Sequence, residues 1–423
     1  MSREMKDSGI AWIGEIPKGW KVELIGNQVK EVCSPNIDCK ENNALQFKMG
    51  SIISKSKGNS KYTPETLEGY NVVDKGVIML NGLNLSFDFI SQRIGLVKER
   101  GVITSTYIAI KPTNSIDSEF LTYLFKAYDN CKVFHSMGKG LRQTLSYGEL
   151  KKYQLLYPNI KEQQKIAEFL DRKCGEIDEL VALQEKMIDE LKAYKQSVIT
   201  EAVTKGLNPN APMKDSGIEW IGEIPEHWEV VQTRRIVYSH LQGYYDSDGY
   251  SYSGYRLLRI TDLLGNGNLT LKNAPFVKET PKIGDFILKQ GDFCFARTGG
   301  AGNFGFVSED IEPAVFASYL IRFRFMGQSN NYLHYYFLSS CFLSEVYSSI
   351  HGGVNQNIHA DNIKNTHISI PPLSEQQQIA DYLDKKCADI DELVAVKQQK
   401  IDSLKEYKKS LIYEYVTGKK EVI

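Results

Sequence analysis

The strongest constraint on the fold is that the chain says the same thing twice. "MKDSGIAWIGEIPKGWKV", Met5 to Val22, returns as "MKDSGIEWIGEIPEHWEV", Met213 to Val230, with fourteen of eighteen positions identical. A second phrase does the same. "PNIKEQQKIAEFLDRKCGEIDELVALQEKMIDELKAYKQSVITEAVT" (Pro158 to Thr204) returns as "PPLSEQQQIADYLDKKCADIDELVAVKQQKIDSLKEYKKSLIYEYVT" (Pro371 to Thr417). The order is short peptide, divergent block, long phrase, and then all three again. Duplication on this scale demands two similar halves.

The long phrase is helical. Apolar residues recur at Leu170, Ile177, Leu180, Met187, Leu191, Tyr194 and Val198, and at Leu383, Ile390, Leu393, Leu404, Tyr407 and Leu411, as a heptad seam. Gln184 and Lys397 stand on that seam at equivalent places, where a polar residue fixes register. Each phrase starts after a proline, and the first ends at "KGLNPNAP", a helix stop. About 40 residues at about 1.5 Å each make a rod of roughly 60 Å. Two such rods are expected to pack on each other antiparallel. Cys174 and Cys387, on the seam edge, read as small buried apolar residues.

The divergent blocks read as mixed α/β. "GVIML", "GVITSTYIAIKP", "YRLLRI", "GDFCFA" and "AVFASYLIRFRF" are β-type runs between turn residues, and "SEFLTYLFKAYDN" and "NYLHYYFLSSCFLSEVYSSI" are helical. The expected fold is therefore α/β: two duplicated recognition domains, 1–157 and 209–370, separated by two long helices, 158–208 and 371–423. The helices form an antiparallel coiled coil in a pseudo-twofold, circular arrangement.

Composition narrows the function by exclusion. Lys and Arg number 51 against 52 Asp and Glu, so any polyanion site must be a local patch. The first block is the more basic, with 21 Lys/Arg against 16 Asp/Glu in residues 1–157; residues 209–370 hold 13 against 16. No apolar run is long enough for a membrane span or a signal-peptide core. Seven cysteines without metal spacing fit a reducing compartment, so the expectation is cytoplasmic and without a membrane. No phosphate-binding Gly-Lys-Ser/Thr ending and no methyltransferase Asn/Asp-Pro-Pro-Tyr motif is present, and "RTGGAGNFG" does not read as a nucleotide site. His351, His359 and His367 lie eight apart, which is not a ligand spacing on one element. The chain is expected to do no chemistry by itself and to hold no metal or other cofactor.

Matched modules separated by rods suit a two-part ligand, and duplex DNA is the obvious extended one. The "EQQ-IA-LD" phrase, the "DELVA" heptads and the "SGI-WIGEIP--W" peptide, each present twice and in order, resemble the specificity subunit of type I restriction–modification enzymes. The resemblance covers nearly the whole chain. It implies two target-recognition domains that read a bipartite, asymmetric site in double-stranded DNA, with the helices as the ruler. It implies partners as well: two modification (methyltransferase) subunits and restriction (motor-nuclease) subunits, which use S-adenosylmethionine, ATP and Mg for adenine methylation and ATP-dependent cleavage. The alternative is a coiled-coil scaffold whose modules bind protein or glycan.

Candidate DNA contacts follow from side-chain chemistry. In "SKSKGNSKYTP", Lys55, Lys57 and Lys61 can neutralise phosphates, with Asn59 and Tyr62 beside them; the alternative is a solvated surface loop. In "HSMGKGLRQTLS", Lys139, Arg142 and Gln143 match the place of Asn355, Gln356 and Asn357 in "SIHGGVNQNIHA". Asn and Gln can read adenine and Arg guanine, whereas the alternative is a turn that only seats the block on its rod. Tyr244, Tyr245, Arg256 and Arg259 in "QGYYDSDGYSYSGYRLLR", with Arg297 and Asn303 in "ARTGGAGNFG", suit a phosphate and groove surface, though such loops are often plain surface turns.

Overall fold

The computed structural model describes residues 3–48, 50–55, 67–90, 92–139, 143–245, 249–298, 300, 302–349 and 357–422. Two long helices dominate, Ile160–Lys205 and Leu373–Val416. The chain divides into two compact units: residues 1–185 with 399–423, and residues 186–398. Compactness thus cuts each long helix in two, where the sequence suggested four consecutive segments.

Each unit is built on the same antiparallel sheet. In the first, the strand order is Val29–Glu31, Ile108–Pro112, Ile78–Leu80, Ile94–Leu96. In the second it is Val237–Gln242, Leu320–Phe325, Phe293–Ala296, Phe304–Phe306. Two β runs read as continuous each turn out to be two strands: Gly101–Thr104 with Ile108–Pro112, and Ala314–Phe316 with Leu320–Phe325. The helix after the last sheet strand is Ser118–Asn130 in the first unit. Its counterpart is split into Asn330–Leu338 and Ser340–Ser348, because Ser339 ends one helix in extended backbone and caps the next through Phe342 N. A final strand then pairs back to the strand after the short peptide: Gln154–Tyr157 on Lys21–Leu24, and His367–Ile370 on Glu229–Gln232. That pairing returns the chain to the foot of its own long helix.

The repeated phrases are the parts of this foot. Trp20 and Trp228, 2% and 0% exposed, donate from Nε1 to Glu162 (3.2 Å) and Glu375 (2.9 Å), the glutamates of the two "EQQ" motifs. The next glutamine is buried in both. Gln163 accepts from Asp117 N and donates to the Pro158 and Ser115 carbonyls; Gln376 accepts from Ser329 N and donates to the Pro371 carbonyl. Asp117 and Ser329 are themselves the N-caps of the domain helices, so one amide side chain fixes a helix start to a helix start. About two turns further along each long helix, Tyr123 donates to Asp171 and Tyr335 to Asp384, both at 2.6 Å. Burying one tryptophan, about 200 Å² at about 25 cal/mol/Å², is worth roughly 5 kcal/mol of transfer free energy. The indole N–H would forfeit part of that without its carboxylate.

Between the helices the seam is a heptad seam, but its second row differs from the expected one. Leu170, Ile177, Gln184, Leu191 and Val198 do face inward, together with Cys174, Val181, Ile188, Lys195 and Ala202. Leu180 and Tyr194 are exposed and Met187 only half-buried, and Leu393 and Tyr407 are exposed in the second helix. The inner residue follows Leu170 and Ile177 by four positions rather than three, so the rows alternate in the opposite order. Gln184 is buried as expected, and Lys397 is half-buried against Met187 Sδ at 3.6 Å. The helices run antiparallel. In the first unit Asp178 pairs with Lys408 (2.6 Å) and Glu185 with Lys405; in the second Lys195 pairs with Asp391 (2.6 Å). Cys174 and Cys387 fill the seam as free, buried thiols.

The end of each helix closes on a tryptophan peptide. In the first unit Tyr413 donates to the Trp12 carbonyl, and Arg3 pairs with both Glu162 and Glu421. Gly418 (φ +72°) lies so close to Pro17 and Trp20 that a Cβ would overlap the Pro17 ring. Gly206 (φ +73°) packs likewise under Trp228. Gly217 has the same left-handed backbone with open space around it. Gly418→Ala is expected to cost about 3 kcal/mol and Gly217→Ala about 1 kcal/mol, since both carry the left-handed penalty and only the first also meets a ring. Denaturant titration of the two variants checks the difference.

Candidate nucleic-acid interface

In each unit the long phrase is preceded by a loop that folds back over the hairpin at one edge of the sheet. In the first unit Leu145 N donates to the Gly82 carbonyl (2.9 Å) and Leu85 N to the Gln143 carbonyl (3.2 Å). In the second, Ile358 N donates to the Arg297 carbonyl (2.7 Å). The loop before the helix and the sheet hairpin therefore form one edge in both units.

On the second unit's edge, Arg297 N donates to Tyr319 O, Ala296 N to Asn303 O, and Gln242 Nε2 to Ser318 O. These bonds gather Arg297, Asn303, Asn357 and exposed Tyr319 with the strand end that leads to exposed Tyr245. Three other candidates are engaged within the fold. Tyr244 packs on Phe286 (5.4 Å) and reaches Thr280. Arg256 lies 4.0 Å over the Phe276 ring, donates to the Ala274 carbonyl and pairs with Glu312. Arg259 makes a two-pronged bond to nearly buried Asp262 and donates to the Asn273 carbonyl, and that carboxylate holds its pKa above the usual arginine value. His359 and His367 are structural too: His359 starts a short helix and His367 bonds Glu345 at 2.7 Å.

In the first unit, Lys55 is half-exposed, and Lys139 is exposed and 3.4 Å from Glu149. Gln143 is exposed with a left-handed backbone (φ 42°), held by reciprocal bonds between Lys139 and Thr144. Lys57, Asn59, Lys61, Tyr62, Arg142, Asn355 and Gln356 lie outside the described residues. The sequence reading overlooked Gln242 and Tyr319, and also the hairpin loop of the first unit, residues 81–93. That loop has six more residues than its counterpart, 297–303, and its tip holds exposed Phe87, Phe89 and Ile90. The extra length was a signal visible on aligning the two halves.

The model of the type I restriction modification DNA specificity domain matches twice, over residues 42–193 and 226–406. The chain belongs to that family. It is 24% identical over 417 residues to the type I restriction enzyme MjaVIII specificity subunit of Methanocaldococcus jannaschii, covering 96% of this chain and 93% of that one. Its fold matches a chain from a structure of complex assembly and conformational transition of the type I R-M system at TM-score 0.70, with 15% identity, 95% of this chain and 99% of that one. It also matches the HsdS subunit from Thermoanaerobacter tengcongensis at TM-score 0.51 and 15% identity, over 97% and 99% of the two chains. Among the described residues no helix is long and apolar enough to cross a membrane.

The edge geometry separates structural from available arginines. Arg259→Ala strands the Asp262 carboxylate and is expected to lower stability by about 2 kcal/mol, while Arg297→Ala changes it by no more than about 0.5 kcal/mol. Thermal and denaturant unfolding of the two variants measure this.

Proposed function

We propose that this specificity subunit reads a bipartite, asymmetric site in double-stranded DNA and carries the methyltransferase and restriction subunits to it. The observation behind this reading is that the joints of the two units are the same while their edges differ. Trp–Glu, buried Gln and Tyr–Asp recur residue for residue. The edges present Lys139 and Gln143 beside an apolar loop in one unit, and Arg297, Asn303, Tyr319 and Asn357 in the other. One frame bearing two different polar surfaces suits two different half-sites, with Arg, Asn and Gln as the groups able to read base edges. Lys55 and Lys139, with the basic excess of the first block, would serve the phosphates. The long helices would set the spacing between half-sites. Catalysis, with its S-adenosylmethionine, ATP and Mg, would belong to the partners.

The exposed apolar residues of the helices support a scaffold role. Leu180 precedes an inner-row residue and Leu183 lies one turn on; Tyr407 has the same place as Leu180 on the facing helix, beside the Asp178–Lys408 pair. In an antiparallel pair such positions share one side of the coil. The second unit repeats the set as Leu393, Val396 and Tyr194. Two equal apolar patches suit two copies of one partner, each laying an amphipathic helix on the coil.

Co-expression with a methyltransferase encoded beside it, where the neighbourhood holds one, and mapping of methylated adenines tests the reading. A split, asymmetric motif with a fixed spacer is expected; absence of any motif overturns it, and genes for surface assembly in that neighbourhood would favour the scaffold alternative. Lengthening one long helix by a heptad without the other is expected to change the spacer or abolish methylation, and an unchanged motif refutes the ruler. Leu180→Glu with Leu183→Glu is expected to leave one methyltransferase copy bound, and adding Leu393→Glu with Val396→Glu to leave none, as counted by native mass spectrometry.

A further inference from the structure

The loop 81–93 of the first unit is unusual in what it buries and what it exposes. Its anchor is Arg93, fully buried. The guanidinium donates to the carbonyls of Asn81 (3.0 Å), Leu83 (2.7 Å) and Asp88 (2.6 Å), and the Asp88 carboxylate lies 3.8 Å away. The Arg93 backbone N–H donates to Asp129 (2.9 Å), whose own pKa is raised by burial. Taking an arginine out of water is costly unless its donors are met; Nη1 and Nη2 are met by the loop's carbonyls while Nε is buried without a partner, and the bonds at the two Nη atoms tie the loop together. Leu85, also fully buried, pins the near side.

The tip does the opposite. Phe87 is 77% exposed and Ile90 95%, with Phe89 between them stacked on His135 (4.8 Å). Lys132 and His135 bond the tip's backbone, at the Phe89 and Asp88 carbonyls. Asn84, Lys132 and Gln143 all have left-handed backbone (φ 54°, 58° and 42°). Three such non-glycine residues in contacting segments mark a surface kept in a fixed, costly shape. Apolar groups held rigidly in water serve a contact outside the fold.

Position and charge favour DNA as that contact. The loop is hydrogen-bonded to the segment carrying exposed Lys139 and Gln143, and the Lys132 ammonium stands at its tip on the Phe89 carbonyl, with Asp88 beside the Arg93 charge. Basic flanks around an apolar point are how proteins seat a wedge in a duplex, with cations on the phosphates and the wedge between bases. The second unit's corresponding loop, residues 297–303, holds Arg297 and Asn303 and no Phe or Ile.

We infer that Phe87 and Ile90 form an apolar wedge that enters the base stack within the half-site read by the first unit. The inference rests on the DNA-recognition reading and deepens it. The test uses the full chain in complex with its methyltransferase, after the methylated motif has been mapped. Phe87→Ala with Ile90→Ala alters two exposed side chains, so unfolding and methyltransferase co-purification are expected to match the parent. Binding to the mapped site should weaken about tenfold or more, the range for losing a base–aromatic contact. 2-Aminopurine placed stepwise through the site should brighten at one step with the parent and stay dim with the variant. Phe87→Leu with Ile90→Leu should restore most of the affinity. A parent complex that methylates no motif removes the DNA reading itself. With a motif in hand, unchanged affinity in the alanine variant, no bright step with the parent, or loss of the methyltransferase in place of DNA affinity overturns the wedge.

Discussion

The fold depends on a buried amide. Gln163 and Gln376 each satisfy a backbone N–H of the domain and the carbonyl of the proline before the long helix, and each does so where a long helix and a domain helix begin. Helix starts leave N–H groups without partners, and a buried start left so would cost several kcal/mol. Because one side chain serves both helices, the angle between domain and rod is fixed by hydrogen-bond geometry rather than by general packing. The tryptophan and tyrosine that lean on the neighbouring Glu and Asp tighten the same joint.

This explains why some phrases of the sequence repeat and others do not. Six of the seven residues of "EQQ-IA-LD" have a task in the joint: a clamp for indole, an amide bridge, two buried inner faces, an inner leucine and an acceptor for a phenol, while the second glutamine is exposed. The loops at the far edge of each sheet have no such obligation. Their backbones are held by main-chain bonds such as Leu145 to Gly82 and Ile358 to Arg297, and these survive exchange of the side chains.

Duplication, helix length, the α/β character of the blocks and the antiparallel rods were legible because each leaves a periodic or repeated mark. The seam was half legible. With leucines at 180 and 183 and tyrosine at 194 outside, and glutamine at 184 and lysine at 195 inside, hydropathy alone favours the outer row over the inner one, and only the partner helix decides. The interface was least legible. Arg256 and Arg259 look like Arg297 in a string of letters, yet Glu312 and Asp262 occupy two of the three. The apolar tip at Phe87 and Ile90 was passed over because aromatic residues in a β-rich block are ordinarily core.

The way Arg93 holds its loop has an evolutionary corollary. Its partners are mainly carbonyl oxygens, which every amino acid supplies, so the anchor is indifferent to the letters it organises. A mutation at the tip leaves the support standing, and a mutation at the anchor takes the whole tip with it. Such an arrangement lets a lineage try new side chains at the point of contact one at a time, with the cost of failure confined to the contact.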